Sequence, residues 1–209
     1  MRPLVPAGLE VDLWDGSAWV GVVPFRMSGV TPRGVPALPW ISSFPELNVR
    51  TYVTAEGKPG VYFFSLDAAN PLAVTLARAW YHLPYFRARM QCVDRAGTVS
   101  YESRRIGADA EFRGRYRPAG GVFPAPSGSI EYFLTERYCL YSIRRGRLCR
   151  AEIHHPPWPL QVAEAEVERD TVAAAAGLRL PHSPPLLHFA RRLDVVAWPL
   201  APVASRARL

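Results

Sequence analysis

Between residues 44 and 90 the spacing of hydrophobic and polar positions changes repeatedly, and each change marks an element. Phe44 to Val53 alternates, so in an extended chain Glu46, Asn48, Arg50 and Tyr52 share one face while Leu47, Val49, Thr51 and Val53 share the other. The pattern predicts a strand with one face for chemistry and one for packing. After a turn at Glu56-Gly57-Lys58-Pro59-Gly60, Val61 to Leu66 is apolar on both faces, as in a central buried strand. Asn70-Pro71 then offers a cap and a first-turn residue for a helix. Its Leu72, Leu76, Ala79, Trp80 and Leu83 fall on one side, and Pro84 ends it.

The flanking sequence reads mostly as short strands. Residues 9 to 15 and 17 to 25 predict an opening hairpin closed at Asp15-Gly16, and the proline-rich stretch 27 to 43 predicts a crossing loop of the kind that covers a site. Residues 85 to 93 and 98 to 106 predict a second hairpin, followed by a strand over 111 to 117 and a short helix over 130 to 137. A third hairpin, 138 to 143 with 147 to 153, turns at Arg145-Gly146. That turn sets 139 opposite 152 and 149 opposite 142, which sends Cys139 and Cys149 to opposite faces and forbids a disulfide between them. A strand over 160 to 167, a small helix over 170 to 177 and a last strand over 187 to 198 complete about ten strands, too many for a small flat sheet. A barrel-like or sandwich closure is expected.

Composition narrows this further. The 209 residues suit one domain able to bury a core without disulfides, and 21 prolines with 15 glycines favour many short elements over a helix bundle. The net charge is +7, carried almost wholly by arginine, because Lys58 is the only lysine. Arginine does not form the Schiff base available to a desolvated lysine. Three cysteines without a C-x-x-C pair, no apolar leader and no apolar run of about 18 residues predict a soluble, cytoplasmic protein with free thiols and no membrane partner.

The runs at 44 to 53 (FPELNVRTYV), 60 to 73 (GVYFFSLDAANPLA), 134 to 141 (LTERYCLY) and 154 to 160 (HHPPWPL) resemble, in order, the uncharacterised YqjF-like family of the acetoacetate-decarboxylase-like superfamily. The resemblance implies an α+β, mainly β fold: an acetoacetate-decarboxylase-like antiparallel barrel or sandwich with a few short helices packed on it and an internal cavity. Members of the family usually carry a further helical segment upstream of the stretch corresponding to 2 to 12, the point at which this chain begins. The decarboxylases' acidic motif is similar to Phe44-Pro45-Glu46-Leu47-Asn48-Val49, and their buried strand and helix to Gly60 to Trp80. Their aromatic-Pro-Lys-Lys signature corresponds to Leu83-Pro84-Tyr85-Phe86, which has no lysine. The acid is kept and the amine nucleophile is not.

The candidate site therefore centres on Glu46 as general acid or base and Arg50 as a clamp for a carboxylate or enolate, two pleats apart on one face. Asn48 and Tyr52 stand beside them, and Tyr62, Ser65, Tyr85 and His155 are candidate ligand contacts. The matching function is binding of a small oxo- or carboxy-compound, with acid–base chemistry and no Schiff base. The alternatives are a non-catalytic ligand-binding or structural protein, in which Glu46 and Arg50 form only a structural ion pair. No cofactor is expected. No metal is expected either, since His154 and His155 point to opposite faces and lack further ligands at metal spacing. Arg113, Arg115 and Arg117 share a face and Arg144, Arg145 and Arg147 crowd a hairpin tip, but without a nucleic-acid fingerprint no such partner is expected. Homo-oligomerisation is left open.

Overall fold

A computed structural model describes residues 1–29 and 43–203. The crossing loop expected over 27 to 43 lies mostly outside the described residues. In chain order the elements are β1 (Glu10–Val11), β2 (Leu13–Trp14), β3 (Ser17–Ala18), β4 (Val20–Met27), β5 (Phe44–Ala55), β6 (Lys58–Ala68), α1 (Pro71–Tyr81), β7 (Tyr85–Arg95), β8 (Thr98–Arg105) and β9 (Glu111–Pro118). They continue with α2 (Ile130–Thr135), β10 (Cys139–Arg144), β11 (Arg147–His154), β12 (Leu160–Asp170), α3 (Val172–Ala175), β13 (His188–Ala190), β14 (Val196–Ala197) and β15 (Ala201–Pro202).

Thirteen strands form one sheet running β13-β12-β9-β8-β7-β6-β10-β11-β14, with β5 paired to β6 off this path. The first and last strands of the path do not pair among the described residues, so the expected closure into a barrel is not made. Nor is the sheet wholly antiparallel, because β6 pairs in parallel with β10 at Val61 and Tyr62 and with β7 at Leu66 to Ala68. The crossover through α1 explains the second of these: a chain that leaves β6 and returns through a helix arrives in the same direction.

Local chemistry sets the turns. Asp15, Glu56, Ala96 and Arg145 have φ near +50°, and each is followed by a glycine that is also left-handed, as two-residue hairpins require. The third hairpin has the expected register, Cys139↔Glu152 and Ser142↔Cys149, and both cysteines are buried and free. The opening hairpin is much smaller than expected. Only Leu13–Trp14 pairs with Ser17–Ala18, while β1 and β4 on either side of it both pair with β5. The long apolar partner outcompetes the local one.

Helix α1 also departs from its pattern. Among the described side chains of the helix Val74 is the buried one and Tyr81, seven positions on, packs in the same cluster, whereas Leu72 and Trp80 are 47% and 55% exposed. The side chain of Leu76 lies outside the described set. The apolar spacing identified a helix, but the sheet decides which side it covers.

Buried side chains form three clusters. One lies between the β5–β6 sheet and α1 and α2 and holds Phe44, Tyr52, Leu66, Val74 and Tyr85. A second, on the other side of β5, holds Leu47, Val49, Tyr101, Phe112 and Val172. The third gathers Val53, Cys139 and Tyr141 where β10 meets β6. Here Gly60 is needed for close approach, since a Cβ would lie 2.7 Å from the Cys139 carbonyl and 2.8 Å from the Tyr141 ring. Gly60→Ala is expected to destabilise the protein by about 1–3 kcal/mol, as overpacking does. A urea midpoint equal to that of the unsubstituted protein would contradict this. No helix among the described residues is long and apolar enough to cross a membrane.

Candidate functional site

Alternation on β5 persists, and both faces are covered. Glu46, Asn48 and Tyr52 are 3%, 5% and 2% exposed, and Arg50 is half-buried. Strand partners directly opposite share a face, so register decides which candidates join them. Leu66 pairs with both Asn48 and Tyr85, which brings Tyr85 to the Glu46 side. Ser65 pairs with Val49 and Tyr62 with Thr51, which puts both on the opposite, apolar face. A bulge at Phe64 separates them, because Val49 faces Ser65 while Arg50 faces Phe63. Tyr62 and Ser65 are thus not grouped with Glu46, contrary to the expectation that all would surround one ligand.

The Tyr85 hydroxyl donates to Oε2 of Glu46 at 2.9 Å. Burial pushes the Glu46 carboxyl up to about 7, with the Tyr85 hydrogen bond pulling the other way. Burial and the adjacent carboxyl push the Tyr85 phenol well above its ordinary value, so it remains a donor at neutral pH. From the other face of β5, the Tyr101 hydroxyl donates to the Glu46 carbonyl at 2.6 Å and pins the backbone there. Arg78 on α1 donates to the Tyr85 carbonyl through Nε at 2.7 Å and also through Nη2.

Glu46 and Arg50 do not form the ion pair considered above. Their Cα atoms stand about 13 Å apart along the strand, and Arg50 leans the other way. Its guanidinium lies 5.8 Å from the Tyr52 ring centroid and 5.9 Å from that of Trp158, and Nη2 reaches the Leu134 carbonyl at 3.5 Å. Gly21, opposite Arg50 on β4, leaves space for it: a Cβ there would sit 3.3 Å from both Arg50 Cγ and the Tyr52 hydroxyl. Nε of Arg50 has no hydrogen-bond partner, and neither have Oδ1 of Asn48, Nε1 of Trp158 or Nε1 of Trp19, all of them buried atoms. Arg137, by contrast, is neutralised by Asp12 at 2.6 Å and bonded to the Phe133 carbonyl at 2.6 Å. A polar stripe thus runs along β5, with a carboxyl that burial pushes towards neutral pH at one end, an amide with an unmet oxygen in the middle, and at the other a guanidinium without a carboxylate partner beside the Tyr52 and Trp158 rings.

His155 is buried with both ring nitrogens against carbonyls, Nδ1 at 2.8 Å from Pro156 and Nε2 at 3.4 Å from Arg137. Its ring stacks on Tyr138 at 4.6 Å. These contacts, with the Trp158 ring 6.1 Å away, engage both ring nitrogens away from Glu46. Trp19 and Tyr101 carry no motif, and only their neighbours in space distinguish them from ordinary core aromatics. Lys58 is engaged by Glu152. No cluster of metal-ligating side chains is found among the described residues.

Arg113, Arg115 and Arg117 each face a glutamate on β12, Glu168, Glu166 and Glu164, at 3.6, 3.4 and 2.7 Å. Glu164 and Glu166 stand directly opposite Arg117 and Arg115, whereas a register shift after Val167 puts Arg169, not Glu168, opposite Arg113. A cleft of about 170 Å³ opens where β6 passes from β10 to β7, with Tyr62, Phe63, His82 and Ser142 on its walls. Of the site candidates, Tyr62 alone lines it.

Solved structures of similar fold share the architecture at low identity. Acetoacetate decarboxylase from Legionella pneumophila superposes with a TM-score of 0.65 at 11% identity, over 97% of this chain and 79% of that one. The enduracididine biosynthesis enzyme MppR complexed with pyruvate gives 0.57 at 11% identity, over 95% and 77%. In sequence, YqjF of Bacillus subtilis (strain 168), an uncharacterized protein, is 48% identical over 201 residues, 96% of this chain and 83% of its own length. The model of the DUF2071 family, described as an uncharacterized conserved protein, matches residues 1–194, and the chain belongs to that family.

Proposed function

We propose that the chain binds a small oxo- or carboxy-compound along the Glu46–Arg50 stripe and performs acid–base chemistry on it without a Schiff base. The observation that carries this is the buried Glu46 carboxyl, 3% exposed and bonded by the Tyr85 hydroxyl at 2.9 Å, which burial pushes up to about 7. Such a group accepts a proton from a bound molecule and returns it without a large cost in either direction. Arg50 supplies the charge complement: a guanidinium with an unmet N–H and no carboxylate partner. An imine route has no support, because Tyr85 and Phe86 occupy the positions similar to the lysine pair and the one lysine is paired with Glu152. The fold's likeness to a protein solved with pyruvate is compatible with an oxo-acid ligand. The three free cysteines fit a reducing, cytoplasmic setting.

Calorimetric titration with short-chain carboxylates tests the reading. Arg50→Met is expected to weaken binding at least about tenfold, the worth of a charged hydrogen bond. Glu46→Gln is expected to abolish the step in affinity near pH 7 while the protein still binds. Equal affinity in the Arg50→Met protein, together with a lower denaturation midpoint, would assign the stripe to structure alone.

A further inference from the structure

Asn48 occupies the middle of the stripe, one pleat from Glu46 and one from Arg50, and is 5% exposed. Its Oδ1 is buried and accepts no hydrogen bond. A buried acceptor without a donor is costly to a fold, and a donor on a bound molecule would offset that cost. We propose that the site takes a hydroxy acid in preference to the oxo acid of the same skeleton, with the carboxylate at Arg50 and the hydroxyl at Asn48. This rests on the carboxylate-binding reading above and adds the second functional group.

The discrimination follows from what each group offers. A ketone oxygen only accepts, so it can take a hydrogen bond from the Asn48 amide N–H but leaves Oδ1 unmet. A hydroxyl both donates and accepts, and it pairs with the amide whichever way the amide is turned. An ammonium group would also donate, but it would lie next to Arg50, which has no carboxylate partner to offset a second cation. A site built around a ligand hydroxyl rejects analogues that lack it much more strongly than an apolar pocket rejects an extra one. Asn48 therefore sets specificity, while Arg50 sets the requirement for an anion.

Three acids with one four-carbon skeleton separate the terms: 3-hydroxybutyrate, 3-oxobutyrate and butyrate, titrated calorimetrically into the full chain and into Asn48→Leu and Arg50→Met. The hydroxy acid is expected to bind at least about tenfold more tightly than either of the others. Asn48→Leu is expected to collapse the three affinities to one value, and Arg50→Met to weaken all three together. A thermal melt of each variant confirms that it is folded. If all three acids bind alike in the unsubstituted protein, or if Asn48→Leu keeps the margin, the hydroxy-acid assignment is overturned while carboxylate binding stands. If none of the three binds, the carboxylate reading itself falls.

Discussion

Arg105→Met is expected to lower the stability of this protein by about 3–5 kcal/mol, the cost of leaving one member of a buried ion pair alone. Arg105 and Asp67 are 5% and 1% exposed in their side chains and meet through Nε and Oδ1 at 2.7 Å. Arg105 pairs with Ala88 across β7 and β8, and its guanidinium lies 4.0 Å from the centroid of the Phe86 ring. The pair is incompletely satisfied, since Oδ2 of Asp67 and Nη2 of Arg105 have no partner. Burial pushes the Asp67 carboxyl up even against the pull of Arg105, so desolvation outweighs the attraction. It follows that Asp67→Leu combined with Arg105→Met should recover most of the loss, whereas either change alone should not. Urea unfolding of the two single variants and the double variant measures this directly. A double variant as unstable as the sum of the singles would show that the pair is not the source of the cost.

The second large effect is a pH dependence of stability from Glu46. Its carboxyl is pushed from 4.5 to about 7 in the folded protein, so between those values the folded chain holds a proton that the unfolded chain has lost. The folded state binds more protons than the unfolded state, and the free energy of unfolding must fall as pH rises across that interval. The stabilisation is complete below about pH 4.5 and gone above about pH 7, for a total of about 3 kcal/mol. Glutamine keeps the shape of the protonated acid and can still accept from Tyr85. Glu46→Gln is therefore expected to match the unsubstituted protein near pH 5 and to exceed it by about 3 kcal/mol at pH 8. Guanidinium unfolding at several pH values would measure the difference, and parallel curves for the two proteins would place the carboxyl in an ordinary environment.

The same substitution joins stability to function. In the proposed reading, the carboxyl that destabilises the fold above neutral pH is the group that does the acid–base work. Tyr85 links the two roles. It holds the proton-exchanging oxygen of Glu46, and it stands where the resemblance to the decarboxylases would put an amine.

Much of the site was legible in the chain. The alternation that put Glu46, Asn48 and Arg50 on one face survives because period-two geometry is a property of the strand itself. The pairing of Glu46 with Tyr85 was not legible, since it depends on β7 returning parallel to β6. Ser65 and Tyr62 look equivalent to Tyr85 along the sequence, yet a one-residue bulge and the register of β6 turn them to the other face. The ion pair weighed for Glu46 and Arg50 failed for a related reason: side chains on one face still choose a direction along it, and the rings of Tyr52 and Trp158 draw Arg50 away.

What the sequence by itself determined is local: strand faces, glycine-completed turns, the helix after Asn70, the opposed cysteines and the lack of a lysine at the nucleophile position. Each depends on φ, ψ or side-chain identity within a few residues. Only the tertiary structure decided which strands pair, which side of α1 is covered, and which buried polar atoms find partners. Those outcomes follow from competition among distant segments for the same edges and faces. That competition leaves Asn48 without a donor, and no local pattern records it.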